Sequence, residues 1–237
     1  YIYFISVAKF YSEILDVDLE KEGPLDINIF SPSEGKKYGA QYHPDNPRFG
    51  EGPRFIEMTD EFPRAQQYRW MDVVAHEFTH YVHILDGNTP GATWEWWWEN
   101  FAQFMQEAIQ SEFMDYGRVG TNGGCGHVEI DSDFPYRPAN RDDPRSDEDA
   151  LHCFTSPILL DFMDGDIDYD QGDDDDVDMP IKLLWDNLGR AAIQSLSDLY
   201  NILITLDING DGFVDSTDRA LVEAIFASHS APGGKAQ

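Results

Sequence analysis

Apolar residues recur at helical spacing at the start of the chain: Ile5, Ala8, Phe10, Ile14 and Leu15 predict a helix over residues 1–16. Pro24 breaks that pattern. Leu25 to Phe30 then alternates like a half-buried strand. Residues 31–53 are rich in proline and glycine and read as loop. Arg54 to Met58 is a second short strand, with Phe55 and Glu57 on one face and Ile56 and Met58 on the other. Pro63 opens a helix expected from about Arg64 to Asp86, stopped by Gly87-Asn88. A second long helix is expected from about Trp94 to Met114. Residues 117–148 lack periodicity and read as loop, either rimming a site or running over the surface. Leu151 to Phe162 is apolar and helical. From about Pro180 the pattern gives two or three helices with one distinctive loop. Long helices with a few short strands make this an α+β chain.

Size and charge narrow the classes. The 237 residues are enough for one or two domains with a real core. The formal net charge of −29 repels phosphate backbones. Nucleic acid and anionic membrane surfaces are therefore not expected as partners, whereas cations are. No apolar run approaches the ~20 residues of a membrane span. The chain begins at Tyr1, which is read as a processed product or a fragment. Cys125 and Cys153 lie in no CxxC pair, which excludes a four-thiolate zinc site. They either form one disulfide or remain two thiols.

His76-Glu77-Phe78-Thr79-His80 carries the chemistry. Residues four apart stack on one helix face, so both imidazoles can hold one Zn²⁺. Glu77 follows His76 and can reach a water on the metal, whose proton it takes. The flanks, Val73-Val74-Ala75 and Tyr81-Val82, are apolar. Two histidines and a glutamate are costly on such a helix unless a metal uses them. A catalytic zinc takes three protein ligands as a rule. Asp86, Glu95 and His83 are candidates for the third, but Glu99 is preferred. It follows the second histidine by 99 − 80 = 19 residues, room for a turn and an antiparallel helix. Asp86 lies about 9 Å along the axis from His80 if the helix continues through His83.

HEFTHYV followed by WWWENFAQF resembles the gluzincin metallopeptidases, and locally the bacterial collagenase group. That group has an EGxAE-like segment, where this chain has Asn100 for the glycine and Gln103 for the last glutamate. The resemblance covers about residues 70–105. It implies a zincin-like metallopeptidase domain over 1–195 with zinc held by His76, His80 and Glu99. It also implies Glu77 as general base and hydrolysis of a protein or peptide substrate. Collagen is not carried over as substrate. An oxyanion stabiliser is needed as well. His127, in the glycine-rich Asn122–His127 loop, is the choice, with His152 and Tyr136 as rivals.

Residues 207–218 match a twelve-residue calcium loop. Asp207, Asn209 and Asp211 fall at positions 1, 3 and 5, and Gly212 makes the sharp turn. Phe213 offers a carbonyl, Asp215 acts through water, and Asp218 closes the loop. Val214 is expected to pack inward. The ending on Asp is similar to a dockerin repeat, which implies a cohesin-like partner. Dockerins carry two repeats and this chain shows one, so a staple for the helices of residues 196–237 is the preferred role. A second acidic stretch, Asp161 to Asp178, has ten aspartates in 18 residues and reads as a solvated loop or another calcium loop.

These features lead to the expectation of a secreted zinc endopeptidase with Zn²⁺ and Ca²⁺ as cofactors. The alternative is an inactive zincin-fold binding module anchored through its calcium repeat.

Overall fold

The computed structural model describes residues 2–20, 25–30, 40–43, 55–59, 67–85, 95–109, 155–163, 177–189 and 191–228. Helix dominates among them, with one small sheet. The chain divides into two compact units, Tyr1–Thr89 with Met105–Thr121 and Pro90–Phe104 with Asn122–Gln237.

In the first unit, helix α1 (Ile2–Lys9) runs into a single π-helical turn, Phe10–Ile14. The 3.6 periodicity predicts one helix through residue 16. Instead the ladder slips by one residue, and the amide of Leu15 donates to the carbonyl of Phe10 at 3.3 Å. The slip turns Phe10 and Tyr11 fully inward together. Three strands follow: β1 (Asp26–Phe30), β2 (Ala40–His43) and β3 (Phe55–Thr59). Their spatial order is β1-β3-β2, with β1–β3 parallel and β2–β3 antiparallel. Ile56 sits at the centre, opposite Ile27 on one side and Tyr42 on the other, and is fully buried. Strand β2 corrects the reading of residues 31–53 as loop throughout. Its four residues are strand through pairing with β3, a partner outside any local window.

Helix α2 (Gln67–Leu85) has no Gly or Pro to interrupt it and continues past His83 to Leu85. It packs against α1 and β2. Val74, Ala75, Phe78, Tyr81 and Val82 are buried, and Tyr11 lies on Phe78 with ring centroids 5.6 Å apart. Helix α3 (Glu95–Ala108) lies within the expected span, whose two ends fall outside the described residues.

In the second unit Trp97 and Phe101 of α3 stack at 5.1 Å, and Phe101 meets Trp185 at 5.9 Å. The buried Trp97 supports a packing role for at least that tryptophan. Helix α4 (Thr155–Leu160) lies within the span expected to be helical. Helix α5 (Ile181–Leu184) leads into a second π-helical turn, Trp185–Gly189. A Cβ on Gly189 would come within 2.9 Å of the Trp185 ring, so that close approach requires glycine.

Two helices close the described chain. In α6 (Leu196–Leu203), the Ser195 hydroxyl caps the N-terminus by accepting the Asp198 amide at 3.1 Å. Helix α7 (Ser216–Ser228) packs back on it through Tyr200 and Phe226, whose rings are 5.5 Å apart. No described helix is long and apolar enough to cross a membrane.

Candidate metal centre

Helix α2 sets His76 and His80 one turn apart, and their Nε2 atoms are 3.2 Å from each other. Zinc–imidazole bonds of about 2.0–2.1 Å in a tetrahedron put two such nitrogens about 3.3 Å apart. The pair therefore has the spacing that a shared ion needs. Glu99 of α3 joins it: the ligand atoms of His76, His80 and Glu99 all lie within 4.8 Å of one another. In the same tetrahedron a carboxylate oxygen stands about 3.3 Å from each nitrogen, so the widest gap, at most 4.8 Å, would close by up to about 1.5 Å for all three to share an ion. His80 is buried, and His76 and Glu99 are half-buried. Two imidazoles and one carboxylate are a donor set that zinc accepts.

Glu77 is buried and does not belong to the converging group. His83, one turn after His80, does not belong to it either. Burial, then the nearby His80, pull the His83 imidazole down to about 3, so it is neutral at physiological pH. Glu95 opens α3. Asp86, His127, Tyr136, His152, Cys125 and Cys153 lie outside the described residues, as does the acidic run between 164 and 176.

A polar contact that the sequence pattern did not flag stands behind the motif. The Tyr11 hydroxyl and Thr79 Oγ1 are 2.7 Å apart, and Thr79 Oγ1 donates to the Ala75 carbonyl at 2.8 Å. Tyr11 and Thr79 are fully buried.

The 207–218 loop is built differently. Asp207 accepts the amide of Asp211 through Oδ1 (3.1 Å) and that of Gly212 through Oδ2 (2.8 Å). Asn209 Oδ1 accepts Asp211 N–H at 3.0 Å, and Asp211 Oδ1 accepts Phe213 N–H at 2.9 Å. Gly210 and Gly212 sit at φ +70° and +90°, a region that L side chains rarely adopt. Asp215 caps α7 by accepting Thr217 N–H at 2.6 Å, while Asp218 Oδ2 accepts Asp215 N–H at 2.7 Å. This is a reciprocal capping box. Asp218 Oδ1 also accepts the amides of Ile208 (2.7 Å) and Asn209 (3.1 Å). The amide of Asp215 leads in holding the Asp218 carboxyl below its usual range; burial opposes, and the amides of Asn209 and Ile208 assist. Both oxygens of Asp218 thus lie on backbone N–H groups of the loop. Val214 corrects its expected inward packing: it is 54% exposed, and Phe213 is 73% exposed. The whole stretch 209–217 is exposed, so neither side chain has a core beside it to enter.

No family model matches the chain, and neither a curated protein nor a solved structure matches it.

Proposed function

We propose that this chain is a secreted zinc endopeptidase of gluzincin type, acting on proteins or peptides. The observation that carries the reading is the convergence of His76, His80 and Glu99, from two helices, with buried Glu77 beside the first histidine. Zinc in such a set supplies Lewis acidity, lowering the pKa of a water and polarising a carbonyl. Glu77 takes the proton of the attacking water and passes it to the leaving amine. His127 is assigned to the oxyanion. A zincin-like fold belongs to the same reading: α2 bears the motif and packs on a small mixed sheet, and α3 brings the carboxylate.

Calcium at residues 207–218 is the second part of the proposal, supported by the ligand spacing and by the turn at Gly212. The alternative is an inactive zincin-fold module anchored to a cohesin-like partner. It draws on exposed Phe213 and Val214 in that loop. Zinc stoichiometry and peptide hydrolysis, with and without chelator, decide between them. One zinc per chain with chelator-sensitive cleavage supports the enzyme. One zinc with no cleavage over a broad peptide library supports the binding module.

A further inference from the structure

The zinc helix is held from behind by one buried hydroxyl. Thr79 has a single hydroxyl proton, and it goes to the Ala75 carbonyl. In the 2.7 Å contact with Tyr11 the tyrosine must therefore donate. The result is a directed chain, Tyr11 to Thr79 to the Ala75 carbonyl. Its two anchor positions on α2, 75 and 79, each directly precede a histidine of the metal pair, 76 and 80.

We propose that Tyr11 is a positioning residue for the metal centre, fixing through Thr79 the roll of α2 and hence the aim of His76 and His80. The proposal rests on the reading of the triad as a zinc site. Helical residues one apart point about 100° apart. Tyr11 holds two such residues at once, its ring on Phe78 and its hydroxyl on Thr79. A roll of α2 in either direction strains one of these two contacts. Metal constellations tolerate only about 10–20° of misorientation.

Tyr11 is itself fixed. Phe10 meets its ring edge-on at 5.7 Å, and its carbonyl accepts the Val17 amide at 2.9 Å. Burial pushes the phenol far above its ordinary range, outweighing the opposing effect of Thr79, so the hydroxyl keeps its proton. Asp16, at φ +56°, sits in the turn that returns the chain to that carbonyl.

The test uses the full chain and three variants, Tyr11→Phe, Thr79→Val and Thr79→Ser. Zinc affinity is read by competition with a chromophoric chelator, and ligand geometry by the visible absorption of the Co²⁺-substituted protein. Tyr11→Phe keeps the ring and is expected to weaken zinc about tenfold, the low end for residues that orient metal ligands. It should also change the cobalt spectrum. Thr79→Val should match it, and Thr79→Ser, which keeps the hydroxyl, should behave like the unaltered chain. If Tyr11→Phe lowers the thermal midpoint but leaves affinity and spectrum unchanged, the tyrosine is only a packing residue and the proposal is overturned. If Tyr11→Phe does not fold, the Val and Ser variants decide alone, and identical metal behaviour in the two overturns it. An unaltered chain that takes up neither zinc nor cobalt sinks the metal reading itself, a result distinct from any variant effect.

Discussion

The two candidate metal motifs of this chain are held together in opposite ways. His76 and His80 share one helix, but Glu99 is 19 residues further on and lies on another helix, its ligand atom within 4.8 Å of theirs. Residues 207–218 are contiguous, and their carboxylates already have partners in the loop's own amides. Glu99 has no local reason to join the histidine pair, and the cost of gathering these partly buried groups is offset when a cation occupies them. The second motif is bound together by turns and a helix cap within its own twelve residues. A contiguous ligand pattern can therefore serve as a structural loop, whereas a convergent group of partly buried donors points more directly to a metal.

The sharpest way to break the comparison is Glu77→Gln. If the triad holds zinc and Glu77 only moves the proton, this variant keeps its metal and loses hydrolysis by at least about 10²–10⁴-fold. Turnover at matched zinc occupancy measures it. Near-normal turnover would remove Glu77 from the mechanism.

Glu99→Ala comes next. Losing one of three protein ligands should cost zinc affinity at least as much as losing a residue that orients a ligand, about 10–100-fold. Asp86→Ala should keep the metal. Measured zinc content of the two variants separates them, and the reverse pattern would exchange the third ligand.

Much of the region around His76, His80 and Glu99 is legible in the sequence because its signals are local. The HEFTH spacing, the uninterrupted pattern of α2 and the distance to Glu99 are all in the linear text. The preference for Glu99 over Asp86 depends on the helix running past His83, and α2 does extend to Leu85. What was hidden is non-local. Tyr11 and Thr79 are 68 residues apart, and nothing in either neighbourhood announces the pairing. Strand β2 depends on β3, and the π-turn at Phe10–Ile14 has the same apolar pattern as an α-helix. In the loop, Val214 was placed on the wrong side. It sits in a stretch, 209–217, that is exposed throughout, which hydropathy alone does not reveal.

Asp218 tests the other side of the comparison, that the loop folds on its own bonds. Asp218→Ala removes the acceptor of three amides. It should destabilise the chain by about 2–3 kcal/mol without calcium, through the lost capping box and unsatisfied N–H groups. Denaturant unfolding in chelator reads this. The pH dependence has a definite sign. The folded carboxyl is held below its unfolded value, so its contribution is complete above the unfolded pKa, about 3.9. It is lost as pH falls through the folded value. The unaltered chain should therefore lose more stability than Asp218→Ala on acidification below about pH 4. Equal acid sensitivity would remove Asp218 as the hub of the loop.

The smallest expected effect concerns calcium itself. Asp207, Asp211, Asp215 and Asp218 stand within twelve residues of a chain at −29. Their mutual repulsion favours a cation even though their oxygens are bonded to amides. An ion bound only by the folded form stabilises it by about 1.4 kcal/mol at a tenfold excess over its dissociation constant. Calcium should thus raise the thermal midpoint, and Asp207→Ala should remove most of that rise. Zinc must be kept saturating, so that the two sites are not confused. The aspartates between 161 and 178 provide the control: replacing Asp173, Asp174, Asp175 and Asp176 with Asn should leave the rise intact. If the rise survives Asp207→Ala but disappears in the Asn variant, calcium belongs to the acidic run. The loop would then be a helix connection held by its own backbone, and the zinc triad would be the chain's one metal site among the described residues.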